Sequence, residues 1–367
     1  MQKITTFLIC ICLSAFMLLG TQASYAEAQQ ELPPGLQGLK ALEGLKIGGL
    51  MFLEYKAGKD GAQYYNRFAI TRGYINIKKT ITPWLKARIT PDIHRDSSTG
   101  DVIMRIKYLY ARIYTPDMGF LTNNFIEVGQ IHIPWLDFKE HVNGYRCQGE
   151  MLQERNHVFN SADQGIAWFG YFGGKISKEY RETVDKHYAG RYGSFTVGIY
   201  NGAGYHADEE NHNKAVEGRV TIRPLPDMLP GLQLSYFGIY GKGNIADNPP
   251  DWRVNTGYIS YETHLYTFTF TYANDKGRQD GSDDYNKQGI SVFGKLRLPC
   301  YPALELMARY DYWDPNTADI NDVSNRYIAG IGYHIYKGNL LLVDYERMIK
   351  DGGPDEYFVQ TVLQVSF

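Results

Sequence analysis

The chain has 367 residues, of which 44% are hydrophobic and 14% aromatic, including 30 tyrosines. Its 38 basic and 40 acidic residues give a formal net charge of −2. The overall charge therefore provides no long-range attraction to nucleic acid or to an anionic membrane surface, and any charge selectivity must come from local placement of side chains.

The first 26 residues have the pattern of a secretory signal peptide. Lys3 precedes an apolar run from Phe7 to Leu19, and small residues follow up to Ala26, which predicts cleavage after residue 26. An apolar run of about 13 residues is too short for a membrane anchor, which needs about 20. We therefore expect an exported protein with a signal peptide at 1–26 and a short segment at 27–44 before the main domain.

Apolar and polar residues alternate along most of the chain after residue 44, which predicts β-strands. Tyr266, Phe268 and Tyr272, for example, share one face, and the threonines between them share the other. The strand 102–114 changes phase between Lys107 and Tyr108, which predicts a β-bulge. The predicted strands are 45–56, 65–78, 84–93, 102–114, 124–133, 163–174, 191–201, 214–224, 231–241, 253–262, 264–274, 287–298, 302–313, 325–336, 339–349 and 356–367.

Strand length and the parity of the connections favour a membrane barrel over a soluble sandwich. Strands of about 9–11 residues suit a tilted bilayer crossing, whereas about 5–6 residues are usual in soluble proteins. With the strands numbered in chain order, the connections that lead from an even-numbered to an odd-numbered strand (even-to-odd) are mostly short. Those that lead from an odd-numbered to an even-numbered strand (odd-to-even) are mostly longer and polar, as in outer-membrane barrels with both termini in the periplasm. The connections 175–190 and 350–355 do not follow this rule. We expect an all-β, transmembrane antiparallel β-barrel of about 16 strands at 45–367, preceded by a periplasmic segment at 27–44.

The chain ends in an alternating strand whose last residue is Phe367. An aromatic C-terminal residue on such a strand resembles the signal that the barrel-assembly machinery of the outer membrane recognises. Phe367 is therefore the predicted assembly signal. Cys147 and Cys300, the two cysteines outside the signal peptide, fall at opposite ends of the predicted barrel, which predicts two free thiols.

If the apolar face of each strand meets lipid, the polar face lines a lumen, and about 16 strands leave a lumen wide enough for an aqueous channel. Cations outnumber anions on that face, which predicts a modest preference for small anions. An alternative is that many of these charges pair across strands, as Arg309 and Asp311 would. The predicted pore-lining cations of the strands are Arg72, Lys86, Arg88, Arg112, Arg219, Arg223, Lys295, Arg297 and Arg309.

The long connection 134–162 is the third odd-to-even connection. Its basic residues Lys139, Arg146 and Arg155 are interspersed with glutamates, so a loop folded into the lumen would form a charged constriction. The alternative is a surface loop that never enters the pore.

Several stretches resemble the phosphate-selective porin O/P family: "FAITRGYINIKK" (68–79), "VGQIHIPWLDFKEHVNGYR" (128–146), "ERNHVFNSADQGIAWFG" (154–170), "VGIYNGAGYHADEENHNKAVEGRVTIRPLP" (197–226) and "RYDYWDPN" (309–316). The resemblance implies a trimeric barrel of sixteen strands that passes small anions. This chain lacks the closely spaced arginine ladder of the family, and its third loop mixes basic residues with glutamate.

We find no catalytic motif and no Cys/His spacing typical of a metal site, so we expect no enzyme, cofactor or metal. The expected partners are small hydrophilic or anionic solutes, outer-membrane lipid and lipopolysaccharide, the assembly machinery and other copies in a homotrimer, but no nucleic acid. An outer-membrane barrel enzyme of lipase or protease type and a structural barrel are the alternatives.

Overall fold

The computed structural model describes residues 42–96, 98–319 and 321–367, and the segment 44–367 is one compact unit. Sixteen antiparallel strands follow one another around a closed barrel, and β1 pairs with β16 to complete it. The predicted fold class and the sixteen predicted strands are confirmed. The predicted signal peptide at 1–26 and residues 27–41 of the predicted segment 27–44 lie outside the described residues.

The strands are β1 (Leu45–Asp60), β2 (Gln63–Thr82), β3 (Leu85–Arg95), β4 (Val102–Tyr114), β5 (Leu121–His132), β6 (Ala162–Phe172), β7 (Gly193–Tyr200), β8 (Ala215–Ile222), β9 (Leu232–Lys242), β10 (Asp251–Glu262), β11 (Tyr266–Lys276), β12 (Asn286–Leu298), β13 (Tyr301–Asp314), β14 (Ser324–Tyr336), β15 (Asn339–Lys350) and β16 (Glu356–Ser366). Three short helices lie in connections: α1 (Leu136–Asn143), α2 (Leu152–Arg155) and α3 (Lys178–Thr183). None of the described helices has the length and apolar character needed to cross a bilayer.

Alternation along each strand gives the barrel an apolar exterior and a polar interior. In β8, Val216 and Val220 are exposed on the outside, whereas Glu217 and Arg219 are buried on the inside. Water would favour the opposite arrangement, because exposing large apolar areas to it is unfavourable. The same alternation is stable when the outer face meets hydrocarbon and the closed ladder satisfies every backbone group.

The two ends of the barrel differ. We call the end that holds the even-to-odd connections and the C-terminus the turn rim, and the opposite end the loop rim. The turn-rim connections are 83–84, 115–120, 173–192, 223–231, 263–265, 299–300 and 337–338. The loop-rim connections are 61–62, 96–101, 133–161, 201–214, 243–250, 277–285, 315–323 and 351–355.

The predicted parity fits the barrel except at three connections. The turn-rim connection 173–192 is long and the loop-rim connection 351–355 is short, as their sequences indicated. The third exception is new: β1 and β2 continue to a two-residue turn at Gly61, which has a φ of +57°. Glycine suits this turn because it adopts a positive φ without steric cost.

Exposed aromatic side chains form a band near each rim. Trp84, Tyr301 and Tyr336 lie at the turn rim, and Tyr64 and Tyr240 lie at the loop rim. Such bands are typical of barrels whose aromatic side chains sit at the two bilayer interfaces.

The predicted bulge in β4 is confirmed. Thr90 of β3 pairs with Tyr108 and the next residue, Pro91, pairs with Ile106, so Lys107 is the extra residue. Because of this insertion, both Lys107 and Tyr108 are buried on the lumenal side.

The end of the chain completes the barrel. The Phe367 backbone N–H donates to the Gly49 carbonyl (3.1 Å), and the Gly49 N–H donates back to the Phe367 carbonyl (2.9 Å). Both cysteines are free, as predicted: Cys147 is buried and Cys300 is exposed.

Candidate functional site

Residues 133–161, which we call the lumenal loop, cross the interior of the barrel. Gln153 Nε2 donates to Asp275 Oδ2 of β11 (2.8 Å), and Arg155 Nη1 lies 3.0 Å from Glu346 Oε1 of β15. On the other side of the lumen, Arg72 Nη2 of β2 lies 3.0 Å from Glu150 Oε1. The loop therefore reaches strands on opposite sides of the barrel, and the alternative of a loop outside the lumen is excluded.

Apolar contacts hold one side of the loop against the wall formed by β8 to β13. Trp135 stacks on Phe237 of β9 with ring centroids 5.2 Å apart, and both are fully buried. Trp252 of β10 is also fully buried, and its indole N–H donates to the Val158 carbonyl (3.1 Å). Each buried aromatic ring contributes roughly 1.5–3 kcal/mol. This part of the wall is covered by the loop and is not available to solutes.

The opposite wall carries a cluster of cations on three neighbouring strands. In the strand register, Lys78 lies directly opposite Arg88, and Lys86 lies directly opposite Arg112. Like charges in directly opposite positions destabilise a sheet, so an arrangement of this kind favours a functional role. We call this cluster the basic wall: Lys78 of β2, Lys86 and Arg88 of β3, and Arg105, Lys107 and Arg112 of β4.

Aromatic rings and neutral oxygens hold much of the basic wall. The Arg88 guanidinium lies 4.7 Å from the centre of the Tyr108 ring and donates to Asn76 Oδ1 (2.7 Å). Lys86 Nζ lies 4.6 Å from the Tyr114 ring centre. A cation over an aromatic face is attracted by the ring quadrupole without being neutralised. The positive charge of these side chains therefore remains available to a solute.

Carboxylates neutralise only part of this wall. Asp92 Oδ2 accepts from Arg105 (3.1 Å), and Glu127 Oε1 accepts from Arg112 Nε (2.7 Å). Lys78 is exposed to the lumen and makes no ion pair with a described residue. The wall thus keeps an excess of positive charge.

The edge of the lumenal loop that faces away from the apolar wall is acidic. Arg146 lies 2.7 Å from Glu140 and 3.3 Å from Glu154, so one guanidinium serves two carboxylates. Glu150 and Asp137 keep about a third of their side chains exposed, at 32% and 35%. A basic wall opposite an acidic edge sets a transverse field across the remaining passage.

Two titratable groups of the loop have shifted pKa values. Burial raises the pKa of Glu140, and the charge on Glu154 adds to this effect, although Arg146 opposes it. Burial, together with the positive charge on Arg309, lowers the pKa of Lys139 to about 7. The Lys139 ammonium lies between the Trp135 and Tyr258 rings and makes no hydrogen bond with a described residue.

The long connection 173–192 enters the lumen from the turn rim and contacts the lumenal loop. The Tyr188 hydroxyl donates to Asp137 Oδ2 (2.5 Å), and its ring packs edge-on against Phe138 with centroids 4.9 Å apart. The His141 and His187 rings approach with centroids 4.0 Å apart. This connection therefore supports the lumenal loop from the turn rim.

The predicted pore-lining residues fall into three groups. Arg72, Lys86, Arg88 and Arg112 face the open part of the lumen beside or within the basic wall, and Lys295 and Arg297 face the lumen near the turn rim. Arg146 and Arg155 lie in the loop in ion pairs. The buried group is Lys139, Arg219, Arg223 and Arg309.

The buried group is removed from the set that a solute can reach. Arg219 is covered because its Nε donates to the Pro134 carbonyl of the loop (3.0 Å) and Phe138 packs over its guanidinium. Arg309 is paired with Asp311 at 2.6 Å; the pair expected as the alternative forms, but along β13 and not across strands. These arginines hold the loop and the wall together.

Three cations of the basic wall, Lys78, Arg105 and Lys107, were not among the predicted pore-lining residues. Lys78 continues the inward alternation of Arg72, Tyr74 and Asn76, so the signal was present in the sequence. No group of three or more His, Cys, Asp or Glu side chains within the described ranges is arranged to hold a metal ion.

Solved structures share this architecture. An anion-selective porin from Comamonas acidovorans aligns with a TM-score of 0.62 and 12% identity, over 88% of this chain and 99% of that chain. The OmpF of Salmonella typhi, solved with daunomycin, aligns at 0.59 and 11% identity, over 88% and 97%. An in-vitro folded trimer form of OmpT from Vibrio cholerae aligns at 0.52 and 11%, over 88% and 99%.

The fold is that of the outer-membrane porins. No protein-family model matches the sequence. A search of curated proteins also finds no match. At 11–12% identity the likeness concerns the fold, and function must be argued from the lumen.

Proposed function

We propose that this chain is an outer-membrane porin that lets small hydrophilic solutes diffuse passively and prefers anions. The observation that carries the proposal is the basic wall, whose cations other than the buried Lys107 face the passage left beside the lumenal loop and are only partly neutralised. Charged side chains that line a narrow passage set its ion selectivity. An anion-selective porin from Comamonas acidovorans has the same fold, which supports this proposal.

The test is the reversal potential of single channels in planar bilayers under a potassium chloride gradient. We expect stable conductance steps and an anion-biased reversal potential for the unaltered protein. The double variant Lys78→Gln, Arg88→Gln should shift the reversal potential towards zero, because it removes two lumenal charges that form no ion pair with a carboxylate among the described residues. The matched control is Arg347→Gln, which removes a cation from the outer face of β15.

A folded barrel that conducts no ions would contradict the porin proposal and favour the barrel enzyme or the structural barrel. A conducting barrel whose reversal potential is unchanged in the double variant would contradict the role of the basic wall.

We also propose phosphate as a preferred anion, following the resemblance to the phosphate-selective porin O/P family. Closely spaced Lys78, Arg88 and Lys86 offer several donors to one polyanion, and charge-assisted hydrogen bonds are the strongest kind. Phosphate should then reduce the chloride current at millimolar concentration in the unaltered protein and much less in the double variant. Equal chloride current with and without phosphate would contradict this point.

The remaining partners follow from the proposed location. We propose that the signal peptide 1–26 directs export, that the turn rim faces the periplasm, and that Phe367 is presented to the assembly machinery. Phe367 is 74% exposed, and deleting it should slow barrel assembly in cells while leaving refolding in detergent unchanged. A homotrimer is proposed because an OmpT of this fold has a trimer form, and light scattering of the purified protein tests it.

A further inference from the structure

The outer face of the barrel has a shallow trough across β6 to β10. Its floor is formed by Gly218 of β8 and Gly238 of β9, which pair directly with each other. Trp168, Val220 and Tyr236 form its sides. The hollow measures about 650 Å³, which lies within the ~300–1,000 Å³ of ordinary ligand sites.

The trough exists because Gly218 replaces a large side chain on a face that is otherwise apolar and bulky, whereas the Tyr236 ring lies over Gly238. A Cβ atom added at Gly218 would meet nothing closer than the Thr196 carbonyl oxygen at 3.7 Å. The trough is therefore open to the outside, and it extends from β10 to Phe172 at the end of β6. An extended apolar chain fits a surface of this shape.

Arg253 lines the loop-rim end of the trough, and Lys242 and Lys276 lie beside it around Asp251. Asp251 lies 2.7 Å from Lys242, 2.8 Å from Arg253 and 3.9 Å from Lys276, and these three cations make no other ion pair with described residues. Their side chains are 36–45% exposed on the outer face. Three cations around one carboxylate leave an excess of two positive charges, which matches a phosphate group.

A hydrogen-bonded polar pair connects this charged end with the apolar floor. The Tyr236 hydroxyl donates to Asn255 Oδ1 (2.7 Å), and both side chains lie on the outer face within the trough. Polar groups facing hydrocarbon are unfavourable unless they find partners. A ligand with sugar or amide groups beside its acyl chains would provide such partners.

We propose that this trough binds lipopolysaccharide, with one phosphate on Lys242, Arg253 and Lys276 and an acyl chain over Gly218, beside the Tyr236 ring. The charged end lies at the loop rim, which faces the outer leaflet in the proposed orientation. The site rests on that orientation and is independent of whether the lumen conducts. It is a lipid site on one side of the barrel, distinct from the lumen.

The test measures binding of lipid A to the purified full-length barrel in detergent by native mass spectrometry. Diphosphorylated lipid A should bind saturably. The variant Lys242→Gln, Arg253→Gln should bind about tenfold more weakly, as expected when charge-assisted contacts to a phosphate are lost. The control Arg347→Gln removes a loop-rim cation that is similarly exposed but lies on β15, and it should bind like the unaltered protein.

A second pair of variants tests the apolar floor. Gly218→Leu should fill the trough and weaken binding at least about fivefold, because the acyl chain loses its buried area. Gly294→Leu is the control, since Gly294 also faces outwards, has nothing closer than 4.0 Å to an added Cβ, and lies outside the trough. Neither variant should alter conductance, so a failure of the pore proposal and a failure of the lipid site give different results.

Three results would overturn the lipid site. Equal affinity of the double variant and the unaltered protein for lipid A would show that the cations do not contribute to binding. Equal affinity of the unaltered protein for dephosphorylated and diphosphorylated lipid A would show that the phosphate does not contribute to binding. A Gly218→Leu variant with changed oligomeric state and unchanged lipid binding would identify the trough as a subunit interface instead.

Discussion

Replacing Lys139 by methionine should stabilise the barrel in acidic and neutral solution. Lys139 is 4% exposed and its pKa is lowered from 10.5 to about 7 because of burial. This difference of about 3.5 pKa units corresponds to about 5 kcal/mol at about 1.36 kcal/mol per unit. Methionine has a similar length and carries no charge, so its folded state avoids that penalty.

The sign of the pH dependence follows from the lowered pKa. Below about pH 7 both the folded and the unfolded chain hold the proton, so the full penalty of about 5 kcal/mol applies to the unaltered protein. Between about pH 7 and 10.5 only the unfolded chain holds the proton, so the folded state gains stability as the pH rises. At pH 10 the penalty falls to about 1 kcal/mol.

The assay is urea unfolding of the barrel in lipid vesicles at pH 6 and pH 10. The stabilisation by Lys139→Met should be about 4 kcal/mol larger at pH 6 than at pH 10. Lys178→Met is the control, since Lys178 is 78% exposed on α3 and its replacement should change stability by less than about 0.5 kcal/mol at either pH. A stabilisation by Lys139→Met that is equal at both values would refute the reasoning.

Three further predictions follow from the lumenal loop and the two thiols. Trp252→Ala should lower the free energy of unfolding by about 3–5 kcal/mol, because it leaves a cavity beneath the lumenal loop. It should also increase the scatter of single-channel conductance, and an unchanged scatter would mean that the loop position does not depend on Trp252. Neutralising Arg146 and Arg155 together should lower anion preference and destabilise the barrel by about 3–5 kcal/mol, because Glu140 and Glu154 lose Arg146 and the buried Glu346 keeps only Arg326. An unchanged reversal potential would exclude them from the filter. A maleimide should label Cys300 and leave Cys147 unlabelled in the folded protein, because Cys147 is buried and burial raises its pKa to about 12; equal labelling of both would contradict the buried position of Cys147.

The strands and their faces could be predicted from the sequence because a closed barrel imposes one rule on each of them. A residue such as Phe268 faces outwards and its neighbour Thr269 faces inwards, and this alternation is visible without tertiary information. β1 was predicted to end too early and β2 to begin too late, because their pairing continues through Lys59 and Tyr64 to the turn at Gly61. How far a strand continues depends on its partner.

The reachable cations could not be predicted to the same degree. Alternation correctly indicates that Arg219 and Arg309 face inwards, but not that the lumenal loop covers them. The position of the lumenal loop depends on contacts between residues far apart in the sequence, such as the stacking of Trp135 on Phe237. The alternation of apolar and polar residues does not indicate which of these residues meet. The cation–aromatic contacts of Arg88 depend in the same way on the register of neighbouring strands.

The bulge in β4 shows how a barrel of this kind tolerates a change in strand length. On both sides of Lys107 the inward positions, Arg105 and Tyr108, alternate as they would if the extra residue were absent. Insertion or deletion at this position therefore alters one lumenal charge and leaves the lipid-facing residues of the strand unchanged. Inserting one residue at the bulge adds one charged side chain on the lumenal side. A one-residue shift in strand register would instead move every side chain of the strand to the opposite face.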